Sequence, residues 1–297
     1  MKNRLRLPHL LEMFYRKKRA NGSKPCILHK SIQAIMPRKN KDTFDLREDG
    51  FCFLPSLFSQ SEVESAYQGL WEIINGKYRT GIRPENRFWN LGDDPKSIIK
   101  IDKPHLCNRS VWSLVTKPKL GEALALKTNA KTIQVWHSQV VWKPQSYKNS
   151  GNAGWHRDAQ YWPFWSEDGL YTAWVALSDV SSTSGPVQFI AGSNKWNAVN
   201  GLDFFDKNID SQNKLLASHD ESGQVIHSTL KKGEVSIHSS LTYHSSTANK
   251  ETSPRVGMVI HFCTDKAKRV TVSGENADYL DQIKDPSIAP YIYGGSN

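Results

Sequence analysis

Cysteine is scarce and scattered: Cys26, Cys52, Cys107 and Cys263 form no CxxC pair. That spacing excludes a zinc knuckle and a disulfide framework, and it makes a reducing compartment the expectation. No stretch approaches the roughly 20 uncharged apolar residues that a membrane-spanning helix needs, so no membrane span is expected. The N-terminus carries Lys2, Arg4 and Arg6, but Pro8, Glu12 and the basic run at residues 16–19 leave no apolar core for a secretory signal. The expected location is the cytoplasm or an organelle, not the exterior. Internal repeats and low-complexity tracts are missing, and so are the HExxH and HxHxDH patterns of zinc hydrolases.

Acidic residues are nearly absent from one part of the chain only. The formal net charge is +10, yet residues 1–41 hold 12 Lys/Arg and a single acid, Glu12. Residues 42–297 then carry 27 basic against 28 acidic residues, a net of −1. The basicity belongs to an N-terminal extension and not to a face of the fold, so no nucleic-acid partner is expected for the main domain. Residues 1–41 read as a partly helical tail; an organelle-targeting peptide, short of serine, and a surface for nucleic acid or membrane are the alternatives. With 38% apolar residues, 10 Trp, 10 Tyr and 11 Phe, residues 42–297 can build a substantial core as one domain.

Within that domain, residues 51–54 read as a short apolar strand ended by Pro55. Ser59-Gln-Ser61 then opens a helix with Val63, Ala66, Tyr67, Leu70, Ile73 and Ile74 at helical spacing,. A second helix is predicted over residues 117–126. Beyond it, residues 132–143, 170–180, 186–190, 233–238 and 255–262 are extended runs bounded by Gly, Pro, Ser or Asn. They predict the strands of an antiparallel sandwich or barrel with long loops. The predicted order is helices first, strands after.

The sharpest local signal is Gly154-Trp-His156-Arg-Asp158. In extended backbone, residues i and i+2 share a side, so His156 and Asp158 present an imidazole and a carboxylate together while Arg157 turns away. One further imidazole would complete a two-His-one-carboxylate face suited to non-haem Fe(II). Taken alone, an HxD pair is as well explained by solvated or hydrogen-bonded side chains. Downstream, Thr242-Tyr-His244-Ser-Ser246 supplies a histidine just after a strand-like run and before a polar turn at residues 247–253, and Arg255 opens the next strand. Alternation sets Arg255, Gly257, Val259 and His261 on one face. Glycine there leaves room for something to lie against the guanidinium, whose planar fork suits a carboxylate; a surface arginine is the alternative. Thr172, Trp174 and Ala176 share another face, shaping a pocket or simply filling core.

The combination resembles the phytanoyl-CoA dioxygenase-like family of Fe(II)/2-oxoglutarate-dependent oxygenases, from about Asp45 to the C-terminus. The matching segments are Gly154-Trp-His-Arg-Asp-Ala-Gln-Tyr-Trp162, Thr172-Ala-Trp-Val-Ala-Leu-Ser-Asp179, Gly185-Pro-Val-Gln-Phe-Ile-Ala-Gly-Ser193, His244-Ser-Ser246, Arg255 and Gly274-Glu-Asn-Ala-Asp-Tyr-Leu280. The resemblance implies a mostly β fold with flanking helices around a double-stranded β-helix (jelly-roll, cupin-like) core. It implies that His156, Asp158 and His244 bind iron, that Arg255 and Ser246 hold the distal carboxylate of 2-oxoglutarate, and that Trp174 lines that pocket. The implied reaction consumes O2 and 2-oxoglutarate and hydroxylates a small organic substrate with release of succinate and CO2. Relatives that halogenate carry a small residue where this chain has Asp158, so halogenation is not expected; desaturation, ring closure and a non-catalytic binding role stay open. His137 and Gln139, two apart on the preceding strand, and Trp162 are candidate substrate contacts. Substrate identity and oligomeric state carry no sequence signal.

Overall fold

The computed structural model describes residues 41–146, 151–219 and 223–295. Apart from Lys41, the predicted basic extension over residues 1–41 lies outside the described residues. Strand β1 (Phe51–Leu54) leads into helix α1 (Gln60–Ile74). Ser59 accepts from the Glu62 backbone amide, and the Glu62 carboxylate accepts from the Ser59 amide at 2.8 Å, closing a capping box,. There follow β2 (Ile99–Asp102), α2 (Arg109–Val115), α3 (Pro118–Thr128), β3 (Ile133–Lys143), β4 (Ala153–His156), β5 (Leu170–Ala176) and β6 (Val187–Ile190). After these come α4 (Ile209–His219), β7 (Val225–His227), β8 (Val235–Ser239), β9 (His244–Ser246), β10 (Arg255–Thr264), α5 (Glu275–Gln282) and β11 (Tyr291–Tyr293).

The strands build two antiparallel sheets of a jelly-roll. The larger runs β1-β8-β5-β10-β3-β11 with β2 also on β3; the smaller runs β4-β9-β6-β7. Strand β10 is buried along its whole length, and its alternation explains why. Val256, Met258, Ile260 and Phe262 point outward into an apolar layer completed by Val63, Leu70 and Ile73 of α1, Val111 and Leu114 of α2, and Leu120 and Leu124 of α3. Arg255, Val259 and His261 point inward, to a cavity whose walls come from both sheets. The helices therefore cover one face of the large sheet, and its other face is left to line the cavity.

The predicted order of helices first and strands after is corrected at both ends. Strand β2 lies among the N-terminal helices, while α4 and α5 interrupt the β half. Helix α4 buries only Ile209, Gln212 and Leu216, and α5 only Tyr279 and Leu280. So few apolar anchors leave no helical period to read. Strand β5 stops at Ala176, short of the predicted 180, and β10 runs on to Thr264.

Candidate metal centre and adjoining cavity

His156 ends β4 and His244 opens β9, and the ladder between these strands sets the two residues directly opposite each other. Their rings lie 4.1 Å apart. Antiparallel pairing thus brings together imidazoles that are remote in the chain. Each Nδ1 lies against the backbone carbonyl two residues upstream, His156 to Gly154 O at 2.8 Å and His244 to Thr242 O at 2.9 Å. Since a carbonyl only accepts, both Nδ1 atoms carry the proton and both Nε2 lone pairs are free.

Asp158 opens the short turn just past β4. Its Oδ1 faces both free nitrogens, 3.9 Å from His156 Nε2 and 3.5 Å from His244 Nε2. Its Oδ2 accepts from Thr172 Oγ1 at 2.6 Å and from His238 Nε2 at 3.2 Å. The single Thr172 hydroxyl proton is committed to Asp158, so His261 Nδ1 donates to Thr172 Oγ1 at 2.8 Å,. One carboxylate oxygen is anchored and the other is left open. The three open donor atoms all lie within 4.8 Å of one another, and all three residues are buried.

The protonation states suit a cation. Burial raises the Asp158 carboxyl, but the adjacent His244 and His238 outweigh it and hold it well below the usual carboxylate range. Burial lowers His156, and burial together with the neighbouring His156 and His238 takes His244 well below the ordinary imidazole value. Two neutral imidazoles and one carboxylate converge, a donor set that fits a divalent first-row metal with coordination positions to spare.

Beyond this centre the inward face of β10 presents Arg255, 2% exposed, its guanidinium 5.0 Å from the Trp174 ring. The space above Gly257 is filled by that same indole: a Cβ at Gly257 would stand 1.9 Å from it. The room left by the glycine therefore admits Trp174, and Trp174 in turn flanks Arg255. Among the described residues no carboxylate pairs with Arg255, and its Nε has no hydrogen-bond partner. Burial lowers it only to about 10, so it stays charged at neutral pH. Ser246 lines the same cavity, and its hydroxyl accepts from Lys143 Nζ at 2.8 Å.

The opposite end of the cavity is aromatic. In β3 a bulge at the Val135–His137 step breaks the register with β10, so that Trp136 and His137 both face inward,. Trp136 packs edge-on against Trp162 and Phe164. His137 stacks on His261 and bonds Tyr279 Oη through Nδ1 at 2.7 Å. Gln139 donates to Asp102 Oδ1 at 2.7 Å. Burial opposes ionisation of Asp102, but His137 outweighs it and brings that carboxyl to about 2. Phe204 closes on the His156 ring edge, with Lys100 and Lys207 over its own ring at 5.5 and 5.0 Å.

All nine residues singled out from the sequence line this one cavity: His156, Asp158, His244, Arg255, Ser246, Trp174, His137, Gln139 and Trp162. Sequence reading missed Lys143, His238, Asp102, Phe204 and Tyr279, and it placed Thr172 and His261 only on inward faces. Lys143 stands on the same two-residue step as His137, Gln139 and Val141, but that alternation alone does not mark a lysine as buried. Nothing local marks His238 or Asp102. Among the neighbouring aromatics, Trp136, Tyr161 and Trp162 line the cavity, Trp89 and Trp142 join the helix-side core, Trp165 packs behind Trp136, and Phe88 is exposed.

Comparison with known proteins gives this geometry a lineage. The model of the phytanoyl-CoA dioxygenase family matches residues 46–257. The human peroxisomal phytanoyl-CoA dioxygenase is 23% identical over 168 residues, 56% of this chain and 49% of that protein. A probable phytanoyl-CoA dioxygenase of Caenorhabditis elegans is 21% identical over 70% of this chain and 64% of its own length. The chain thus spans about half the length of the mammalian relatives it matches. Among solved structures, the non-heme alpha-ketoglutarate-dependent carbocyclase SnoK of nogalamycin biosynthesis superposes with a TM-score of 0.62 at 20% identity, covering 80% of this chain and 87% of that one. The epimerase SnoN, in complex with Fe3+, alpha-ketoglutarate and nogalamycin RO, gives 0.57 at 19% identity, covering 76% and 83%. These likenesses establish a shared fold.

Proposed function

The chain belongs to the phytanoyl-CoA dioxygenase family, and from that premise we propose that it is a non-haem Fe(II)- and 2-oxoglutarate-dependent dioxygenase that hydroxylates an unactivated C–H bond of a small organic substrate. The observation that carries the reading is the buried convergence of His156, Asp158 and His244 in the same cavity as the buried Arg255, which pairs with no carboxylate among the described residues. Bound Fe(II), 2-oxoglutarate and O2 supply the oxidation, with succinate and CO2 as co-products; the protein supplies geometry and dryness.

His156 and His244 would hold the ion through Nε2 and Asp158 through Oδ1. Thr172 and His238 hold the second oxygen of Asp158, so Oδ1 is the oxygen that would bind the metal. Arg255, flanked by Trp174, takes the distal carboxylate of 2-oxoglutarate, and the Ser246 hydroxyl adds a neutral donor. Trp136, Trp162 and Phe164 exclude water at the other end, where His137 and Gln139 orient the substrate's polar groups. The same residues would serve desaturation or ring closure, since those outcomes turn on where the substrate's hydrogens lie.

The test is spectroscopic. Anaerobic addition of Fe(II) and 2-oxoglutarate should produce a weak visible charge-transfer band, and its absence sinks the reading. Substrate-stimulated succinate release across acids, thioesters, amino acids and polycyclic compounds would identify the substrate class. Product mass then separates hydroxylation, which adds one oxygen, from desaturation or ring closure, which remove two hydrogens.

A further inference from the structure

Asp102 ends β2 directly opposite Gln139 of β3, and His137 stands two residues before Gln139 on the same strand. Asp102 is 5% exposed and His137 9%, and both line the cavity. Tyr279 Oη lies 2.7 Å from His137 Nδ1 but 3.5 Å from the Trp136 carbonyl. The shorter contact takes the hydroxyl proton, so Nδ1 accepts and Nε2 carries the imidazole N–H. That N–H makes no hydrogen bond among the described residues. Asp102 Oδ1 stands 3.6 Å from it, longer than a direct hydrogen bond. Asp102 keeps acceptor positions open as well. Its Oδ1 accepts from Gln139 Nε2 at 2.7 Å and its Oδ2 from Asn86 Nδ2 at 3.4 Å, whereas a carboxylate offers about four positions. Among the described residues no lysine or arginine pairs with it. Lys103 bonds Glu85 and Gln282 instead, and Lys100 lies over the Phe88 and Phe204 rings. A donor and an acceptor thus face the cavity side by side. The group that answers both through one atom is a hydroxyl.

We propose that Asp102 and His137 together bind a hydroxyl group of the primary substrate, which accepts from His137 Nε2 and donates to Asp102. The assignment rests on the oxygenase reading above and narrows its substrate to an alcohol with an apolar body. The apolar wall is close at hand: His137 stacks 5.6 Å from His261, whose ring lies 4.9 Å from Trp162 and 5.5 Å from Trp136. His261 also links this end of the cavity to Asp158 through Thr172. Gln139 acts through Asp102, by holding its Oδ1. An ether accepts but cannot donate, so it forfeits the bond to the carboxylate. An ammonium only donates, so it meets the His137 N–H donor to donor.

The experiment is ligand-observed NMR on the full chain loaded with 2-oxoglutarate and Zn(II), a diamagnetic ion that suits the same donors. The probes are cyclohexanol, methoxycyclohexane and cyclohexylammonium. Wild type should bind the alcohol at least about 10-fold tighter than either competitor, the weight of one hydrogen bond to a charged group. Asp102→Asn should cut the preference for alcohol over ether to about 3-fold or less, because the remaining bond is no longer charge-assisted. His137→Phe removes the shared donor and should weaken alcohol and ether together, each about 5-fold. Equal affinity of wild type for alcohol and ether, or binding of neither, overturns the hydroxyl site and leaves the oxygenase reading standing. Tighter binding of the ammonium overturns it too, in favour of a cationic group. A loss in Asp102→Asn shared by all three probes marks a merely structural carboxylate and also overturns it. Failure of wild type to take up Zn(II) and 2-oxoglutarate overturns the oxygenase reading, and the hydroxyl site with it. Should a variant fail to fold, the wild-type ranking of the three probes decides.

Discussion

Asp158 shows how one residue is made to serve a site through the groups behind it. A free carboxylate samples both oxygens; here Thr172 and His238 hold Oδ2, and only Oδ1 is presented to the metal position. Thr172→Val keeps the branched shape and removes the donor. The expected result is a loss of metal affinity of about 10- to 100-fold, the usual effect of deleting a partner of a metal ligand, with little change in melting temperature. Titration with Co(II), followed by its visible absorption, measures this directly, and an unchanged affinity would rule the anchoring role out. The neighbouring His156 was legible with Asp158 because the two-residue step is a local rule. Their meeting with His244 was not legible from spacing, since it depends on which strands pair and in what register. Lys143 escaped notice for a different reason: a lysine's default is solvent, and only the pairing with Arg255 shows otherwise.

At the scale of the strand, β10 divides its residues between two tasks. Val256, Met258, Ile260 and Phe262 join the helix-side core, whereas Arg255, Val259 and His261 line the cavity, so a change on one face should leave the other intact. Gly257 is the sensitive odd position, because Trp174 lies against its Cα. Gly257→Ala must displace the indole from Arg255. We expect a loss of about 1–3 kcal/mol of stability from overpacking. We also expect a rise in the 2-oxoglutarate requirement with the Fe(II) affinity retained, readable from melting curves and succinate assays. Wild-type co-substrate dependence in that variant would show that Trp174 does not shape the pocket. Longer elements such as β3, β10 and α1 were legible because their periods repeat several times. The three- and four-residue strands β2, β4, β7, β9 and β11 barely complete one repeat, and tertiary pairing rather than local pattern makes them strands.

For the whole molecule, the buried histidines tie folding to pH. His105 joins three parts of the chain: its Nδ1 accepts from Ser138 Oγ at 2.6 Å, and its Nε2 donates to Ile288 O at 3.1 Å. Burial lowers both His105 and His261 to about 3, and it lowers His156 and His244 in the same direction. An unfolded chain titrates these imidazoles near 6.5. Below that pH the unfolded state takes up protons that the native state refuses, so native stability falls as pH falls. The contribution is whole above about 6.5 and drains away toward pH 3. Each such histidine costs about 1 kcal/mol per pH unit in that window, against a total stability of roughly 5–15 kcal/mol. Asp102, lowered to about 2, works in the same sense but only below about pH 4, after the histidines have acted. Metal-free protein should therefore unfold cooperatively near pH 4–5, earlier than its carboxylates alone would dictate. Urea melts at pH 7.5, 6 and 5 should show a falling midpoint, and His105→Gln should flatten that slope by one histidine's share while lowering stability at pH 7.5. A midpoint constant from pH 7.5 to 5 would mean that these imidazoles are protonated in the native state, and the neutral donor set argued for the metal centre would have to be given up with them.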